Sequence, residues 1–133
     1  MQIKKQVLCA QRLRKVPPQF SWVDQRLVRW GYVHRCDHAA LALYLVLVTV
    51  ADAEGLSYYS DPSLERMLRL DHAGLCVARS GLVAAGLVVY QKPLYQVLAL
   101  EQLESLPALA PRSGQTRSLK EVLAQVLEKG GQP

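Results

Sequence analysis

The fold is decided by residues 61–100, which read DPSLERMLRLDHAGLCVARSGLVAAGLVVYQKPLYQVLAL. Asp61 and Pro62 predict the start of a helix, because a capping carboxylate is followed by a proline at the first helical position. We expect that helix to run over residues 62–69. Asp71 repeats the capping pattern, so a further helix should follow after a short turn.

This further helix is predicted over residues 72–85. Its apolar residues recur at intervals of three and four, the spacing of a buried helical stripe, and they are Leu75, Ala78, Leu82 and Ala85. Gly86 is a typical stop signal. Residues 87–90 and 94–100 then predict two strands, joined by a tight turn at residues 91–93.

A nearly all-apolar run, residues 39–51, precedes this region, and Asp37 is placed to cap it as a helix. Its β-branched residues would tolerate a strand, but 13 residues is long for a strand and ordinary for a helix. The run is too short to cross a bilayer, which takes about 20 residues. We therefore expect a buried helix and no membrane association. Residues 56–59 predict a short strand that joins the later hairpin as its third strand.

The predicted order is helix, strand, helix, helix and hairpin, which is the order of a winged helix-turn-helix. The residues that carry a family resemblance are FSWVD at 20–24, Ala39, Leu43 and Tyr44, YYSD at 58–61, ARSGLVAAGLV at 78–88 and PLYQVL at 93–98. They resemble winged helix-turn-helix proteins of bacterial mobile elements and, more loosely, the N-terminal domains of plasmid and phage replication initiators. The resemblance implies an α+β, mainly α fold with a short three-stranded sheet. It also implies DNA binding, with the third helix (residues 72–85) in the major groove and the hairpin near the sugar-phosphate backbone of the DNA.

Charge is distributed unevenly along the chain. Residues 1–35 hold eight basic side chains and one acidic one, whereas residues 36–100 hold four basic and six acidic ones. The predicted organisation is a basic N-terminal segment at 1–36, a winged helix-turn-helix domain at 37–100, a linker at 101–117 and a C-terminal amphipathic helix at 118–133. The N-terminal segment is either a strand added to the core or an arm. Its basic side chains then either line a DNA groove or form a solvated face.

The candidate DNA contacts combine phosphate-binding cations with polar groups of the third helix. Good base readers are Arg, Lys, Asn, Gln and acids, but the outward face of this helix offers only His72, Ser80 and, at one edge, Arg79. Phosphate contacts need only positive charge. The residues predicted to bind DNA are Arg66, Arg69, His72, Arg79, Ser80 and Lys92. The alternative is that the third helix packs against protein and that Arg79 pairs with Glu65 or Asp61.

No arrangement typical of a catalytic site is present, so we predict that the protein is not an enzyme and uses no cofactor. The run HRCDH at 34–38, together with His72 and Cys76, could supply zinc ligands, but it lacks paired CxxC spacing and we predict no metal site. Tyr58 and Tyr59 are interpreted as packing residues in preference to strand-transfer nucleophiles. A redox role for Cys76 is disfavoured, since no Lys or His is clearly placed to lower its pKa.

The C-terminal residues predict an amphipathic helix. A capping box at residues 118–121 is followed by apolar residues at helical spacing, and the set is Leu119, Val122, Leu123, Val126 and Leu127. An all-apolar first helix (residues 39–51) needs cover on every side. The C-terminal helix can fold back onto it or pair with a second copy, and we predict a homodimer.

These features predict a cytoplasmic, non-enzymatic protein that binds duplex DNA mainly through phosphates. Three cysteines at unpatterned spacing are typical of reduced thiols in a cytosol. We expect an accessory role in transcription, replication or transposition. The alternative is a protein-interaction module, in which the apolar third helix and the C-terminal helix bind a recombination or replication protein.

Overall fold

The computed structural model describes residues 2–101. Over these residues the chain is mixed α+β and mainly helical, with one small antiparallel sheet. The elements are α1 (Arg26–Arg29), α2 (His38–Val50), β1 (Leu56–Tyr58), α3 (Asp61–Leu68), α4 (His72–Ala84), β2 (Val88–Gln91) and β3 (Leu94–Val97), with 3-10 turns at Ala10–Arg12 and Tyr32–Arg35.

Helix α2 is the centre of the core, as its apolar sequence predicts. The Asp37 carboxylate caps it by accepting a 2.8 Å hydrogen bond from the backbone N–H of Ala40. The buried side chains of α2 pack against α3, α4 and β3, and they are Ala40, Leu43, Tyr44, Leu47 and Val48. The expectation that α2 is covered on every side is not met within residues 2–101, because Leu45 remains 60% exposed.

Helices α3 and α4 are consecutive, are separated by three residues and pack against each other. Ser60, not the predicted Asp61, caps α3, with its Oγ accepting from the N–H of Ser63 at 3.2 Å. Ser is as good a cap as Asp, and the shift leaves the Asp61 carboxylate free for another partner. Arg69 ends α3 in the left-handed conformation, with φ 57°. Asp71 caps α4 through the N–H of Gly74 at 2.7 Å, as predicted.

The sheet has the order β1-β3-β2, so the predicted third strand joins the hairpin at β3. Register pairs Tyr58 with Leu94 and Val88 with Val97. The predicted strand over 94–100 is too long, since β3 ends at Val97. One more cross-strand bond follows, from the N–H of Leu98 to the carbonyl of Leu87 at 3.0 Å, and Leu100 is buried in the core. The predicted stripe is buried where α4 packs against α2, α3 and β2, and its members are Leu75, Ala78, Leu82 and Ala85.

The N-terminal segment adds no strand to the core. Of the two alternatives for this segment, the strand is not observed, since residues 2–15 contain only the short turn at Ala10–Arg12 and are exposed throughout. The helix α1 that follows these residues is a single turn of four residues. The Asp24 carboxylate accepts from the N–H of Arg26 at 2.9 Å, which fixes the start of α1 there, and Trp22 is 74% exposed.

We expect Gly55→Ala to destabilise the fold by about 2 kcal/mol or more, because a left-handed conformation costs a non-glycine residue about 1–2 kcal/mol. Gly55 has φ 85°, and an added Cβ would lie 2.6 Å from the carbonyl oxygen of Val97. Gly86→Ala is the matched control, since Gly86 has φ 77° but open space around it. Denaturant unfolding of both variants should show the larger loss at Gly55. Equal losses would contradict the close approach to β3.

Candidate functional site

The side chain of Arg79 connects α4 with α3 and the hairpin. Its Nη1 donates to Asp61 Oδ1 at 2.9 Å and to the Tyr95 hydroxyl at 2.8 Å. Its guanidinium also lies 4.3 Å from the centroid of the Tyr90 ring, a cation–π contact. Only 13% of the Arg79 side chain is exposed. We call Arg79, Asp61, Tyr90 and Tyr95 the Arg79 cluster.

Electrostatics within the Arg79 cluster keep both members of its ion pair charged. Burial acts to lower the pKa of Arg79, but the hydrogen bonds to Asp61 and Tyr95 outweigh it and raise the pKa above its ordinary value. The hydrogen bond from Arg79 in turn lowers the pKa of Asp61. The Arg79 side chain therefore binds other residues of the fold. Its acidic partner is Asp61, which is one of the two partners that the sequence allowed.

Three other predicted DNA contacts, Arg66, Arg69 and Lys92, are exposed. Arg66 and Arg69 lie at the end of α3, and Lys92 lies in the turn between β2 and β3. The strand register pairs Leu94 with Tyr58, which places the turn that holds Lys92 beside the start of α3. After the hydrogen bond from Arg79, the charge of Lys92 also acts to lower the pKa of Asp61. Within residues 2–101 none of these three predicted contacts forms an ion pair. Free positive charge thus stands near both ends of α3.

The outward face of α4 is accessible and carries small side chains. Ser80 is exposed there, together with Ala73, Val77 and Ala84. His72, at the start of the helix, is also exposed, and its Nδ1 lies 3.2 Å from Glu65 Oε2. This face can approach another surface closely, but it presents few groups that could read a base edge.

The surroundings of Cys76 differ from the sequence-based expectation. The Nε2 of His72 lies 3.5 Å from the Cys76 Sγ, and Nη2 of Arg79 lies 3.7 Å from the same sulfur. The expectation that no basic side chain is placed beside this thiol is therefore wrong. The signal was present, because residues separated by three or four positions are neighbours on a helix. The sequence contains no comparable spacing that would place Tyr90 and Tyr95 next to Arg79, because these contacts depend on how the strands pack against α4.

The remaining candidate sites are dispersed. Tyr59 packs against the core, as expected, whereas Tyr58 is 72% exposed and the packing interpretation is wrong for it. In the part of the chain that the structure describes, no three His, Cys, Asp or Glu side chains are grouped to hold a metal ion. No helix among residues 2–101 has the length and apolar character that a bilayer crossing requires. The predicted oligomerisation residues, Leu119, Val122, Leu123, Val126 and Leu127, lie outside the described residues.

Comparisons with protein-family models, with curated proteins and with solved structures found no match to the chain. Function is therefore inferred from the residues and their geometry.

Proposed function

We propose that this chain is a winged helix-turn-helix protein that binds duplex DNA mainly through phosphates and catalyses no reaction. The order α2, β1, α3, α4 and hairpin, together with the sheet order β1-β3-β2, supports this assignment. In this interpretation α3 and α4 are the helix-turn-helix pair, α4 enters the major groove, and the β2–β3 hairpin is the wing.

The observation that carries the proposal is the free positive charge near both ends of α3. Arg66 and Arg69 stand at its end and Lys92 near its start, and all three are exposed. The eight residues of α3 span roughly 12 Å along the axis, which is comparable with the major groove width of about 12 Å. Phosphates on the two sides of a groove can therefore be contacted at once. Such contacts fix position on the duplex without reading sequence.

Sequence readout in this proposal is modest. The exposed polar groups of α4 are His72 and Ser80, because Arg79 is held by Asp61 and Tyr95. The small residues Ala73 and Ala84 let the helix backbone approach base edges closely, and apolar contact favours the thymine methyl group. We expect weak preferences between sequences rather than recognition of one operator.

The proposal is tested by fluorescence anisotropy of the full chain with a mixed-sequence duplex over a salt series. Each phosphate contact contributes a slope of about −0.9 to log affinity against log salt. Contacts by Arg66, Arg69 and Lys92 alone predict a slope of about −2.7, and exposed cations of the N-terminal segment would steepen it. Binding that is absent at low salt, or indifferent to salt, would overturn the proposal.

One observation favours a second function. Val77, at the centre of the outward face of α4, is 63% exposed, and an apolar residue there suits a protein surface as well as a DNA groove. The second candidate is an interaction module for a recombination or replication protein. The resemblance to mobile-element proteins is compatible with both, and an accessory role in transcription, replication or transposition is part of the proposal. If the full chain is folded but does not bind duplex DNA, the second candidate is favoured.

A further inference from the structure

Cys76 stands at the end of a chain of three polar side chains. Glu65 of α3 contacts Nδ1 of His72 at 3.2 Å, and Nε2 of His72 lies 3.5 Å from the Cys76 Sγ. A thiol, a base and a carboxylate that orients the base are the arrangement of an activated nucleophile. The contacts join two helices, so the arrangement depends on how α3 and α4 pack.

The two ring nitrogens of His72 have different partners, and this difference sets the direction of proton transfer. A carboxylate only accepts hydrogen bonds, so Glu65 favours the tautomer in which Nδ1 of His72 carries the proton. Nε2 is then the acceptor that faces the thiol of Cys76. His72 is positioned to take the proton when the sulfur attacks, as the base does in other nucleophilic sites.

The guanidinium of Arg79 also contacts the sulfur of Cys76. Its Nη2 lies 3.7 Å from the sulfur and can donate to it. Asp61 and Tyr95 hold the guanidinium in place through Nη1. Arg79 is thus a fixed hydrogen-bond donor to the sulfur of Cys76.

We propose that Cys76 is a reactive thiol that exchanges with low-molecular-weight disulfides and so forms a modification site on α4. His72 is its base, Glu65 is a positioning residue that acts through His72, and Arg79 donates a hydrogen bond to the sulfur. Cys76 is half-buried, and the His72 side chain beside it is 68% exposed, so the site lies at the surface.

The exchange balances without another reactant. The Cys76 sulfur passes its proton to Nε2 of His72 and attacks one sulfur of the disulfide. One S–S bond forms, the original S–S bond breaks, and the departing thiolate takes the proton back from His72. The products are a mixed disulfide on Cys76 and one free thiol. A thiol reductant reverses the reaction by the same route.

Modification would place a bulky group beside the outward face of α4. This consequence rests on the proposed DNA-binding function, because the same face is the one directed at the groove. The mixed disulfide with glutathione also adds negative charge, which phosphates repel. We expect the modified protein to bind duplex DNA at least about tenfold more weakly, with recovery after reduction.

The reactivity is tested on the full chain with oxidised glutathione and without DNA. Cys9, Cys36 and Cys76 lie on different tryptic peptides, so mass spectrometry gives three rates in one reaction. Cys9 is exposed and serves as an unassisted thiol. Burial, and then the charge of Asp37, raises the pKa of Cys36, which should react slowest. We expect Cys76 to react about tenfold faster than Cys9 or more, since general bases contribute such factors.

Matched variants distinguish the effect of removing the base from a general effect of losing a histidine. His72→Gln should bring the Cys76 rate down to that of Cys9, whereas His34→Gln, at an exposed histidine in the Tyr32–Arg35 turn, should leave it unchanged. Glu65→Ala should slow Cys76, while Glu65→Gln should largely restore the rate because its carbonyl still accepts from Nδ1 of His72.

Each outcome decides one proposal. A Cys76 rate no greater than that of Cys9, or one that His72→Gln leaves unchanged, overturns the reactive thiol and leaves DNA binding untouched. Fast, His72-dependent modification in a protein that does not bind DNA supports the reactive thiol and removes the proposed function.

Discussion

Arg79→Met is expected to lower the free energy of unfolding by about 3 kcal/mol, because breaking a largely buried ion pair leaves its partner uncompensated. Methionine fills a similar space but donates no hydrogen bond, so Asp61 and the buried Tyr95 hydroxyl both lose their donor. The cation–π contact with Tyr90 is lost as well. Denaturant unfolding monitored by far-ultraviolet circular dichroism measures the difference.

Arg66→Met is the matched control for this prediction. Arg66 is exposed on α3 and forms no ion pair among residues 2–101, so we expect its stability to change by no more than about 0.5 kcal/mol. If the two variants were equally stable, and Arg79→Met instead bound DNA more weakly, Arg79 would belong to the interface and not to the core.

The pH dependence of the unfolding free energy is a second measure of the ion pair between Arg79 and Asp61. Arg79 lowers the pKa of Asp61 from its ordinary value of 3.8 in the folded state. The stabilisation is therefore complete above that pH and is lost as the pH falls through the lower folded-state value. The difference in unfolding free energy between the wild type and Arg79→Met should shrink over this acidic range.

Local signals in the sequence predicted most of the helical architecture. The cap at Asp71 and the apolar stripe through Leu75 and Leu82 depend only on neighbours within a few positions, and both are present. The third strand was also predictable, because a short β-branched or aromatic run beside a hairpin has few other places to pair. Signals of this kind depend on intervals of a few residues, which a single sequence displays directly.

The parts that sequence could not supply depend on contacts between elements. Ser60 and Asp61 are both good caps, and the choice between them is decided by Arg79, 18 residues away, which binds the Asp61 carboxylate. The hydroxyl of Tyr95 reaches Arg79 only because β3 lies between β1 and β2. The N-terminal alternation suggested a strand, but a strand needs a partner edge, and residues 2–15 have none among the described residues.

The combined variant Arg66→Gln, Arg69→Gly and Lys92→Gln is expected to bind duplex DNA about three-thousandfold more weakly at about 50 mM salt, with a salt slope reduced by about 2.7. The loss in affinity follows from the change in slope, because a slope difference of about 2.7 acts over the roughly 1.3 decades between about 1 M and 50 mM salt. Glycine is chosen at Arg69 because φ is 57° there, a conformation that glycine adopts without strain. The variant should therefore remain folded, which unfolding curves can verify.

The matched control removes the same charge from a different place. Lys4→Gln, Lys5→Gln and Arg12→Gln together remove three exposed positive charges from the N-terminal segment. If binding depends on the cations near the ends of α3, this N-terminal control should lose less than about tenfold in affinity for DNA. The combined variant at residues 66, 69 and 92 should lose far more. Equal losses would mean that net charge attracts the duplex without placing it on α3 and the hairpin. A larger loss in the control would move the phosphate contacts to the N-terminal segment, and α4 would then be available for a protein partner.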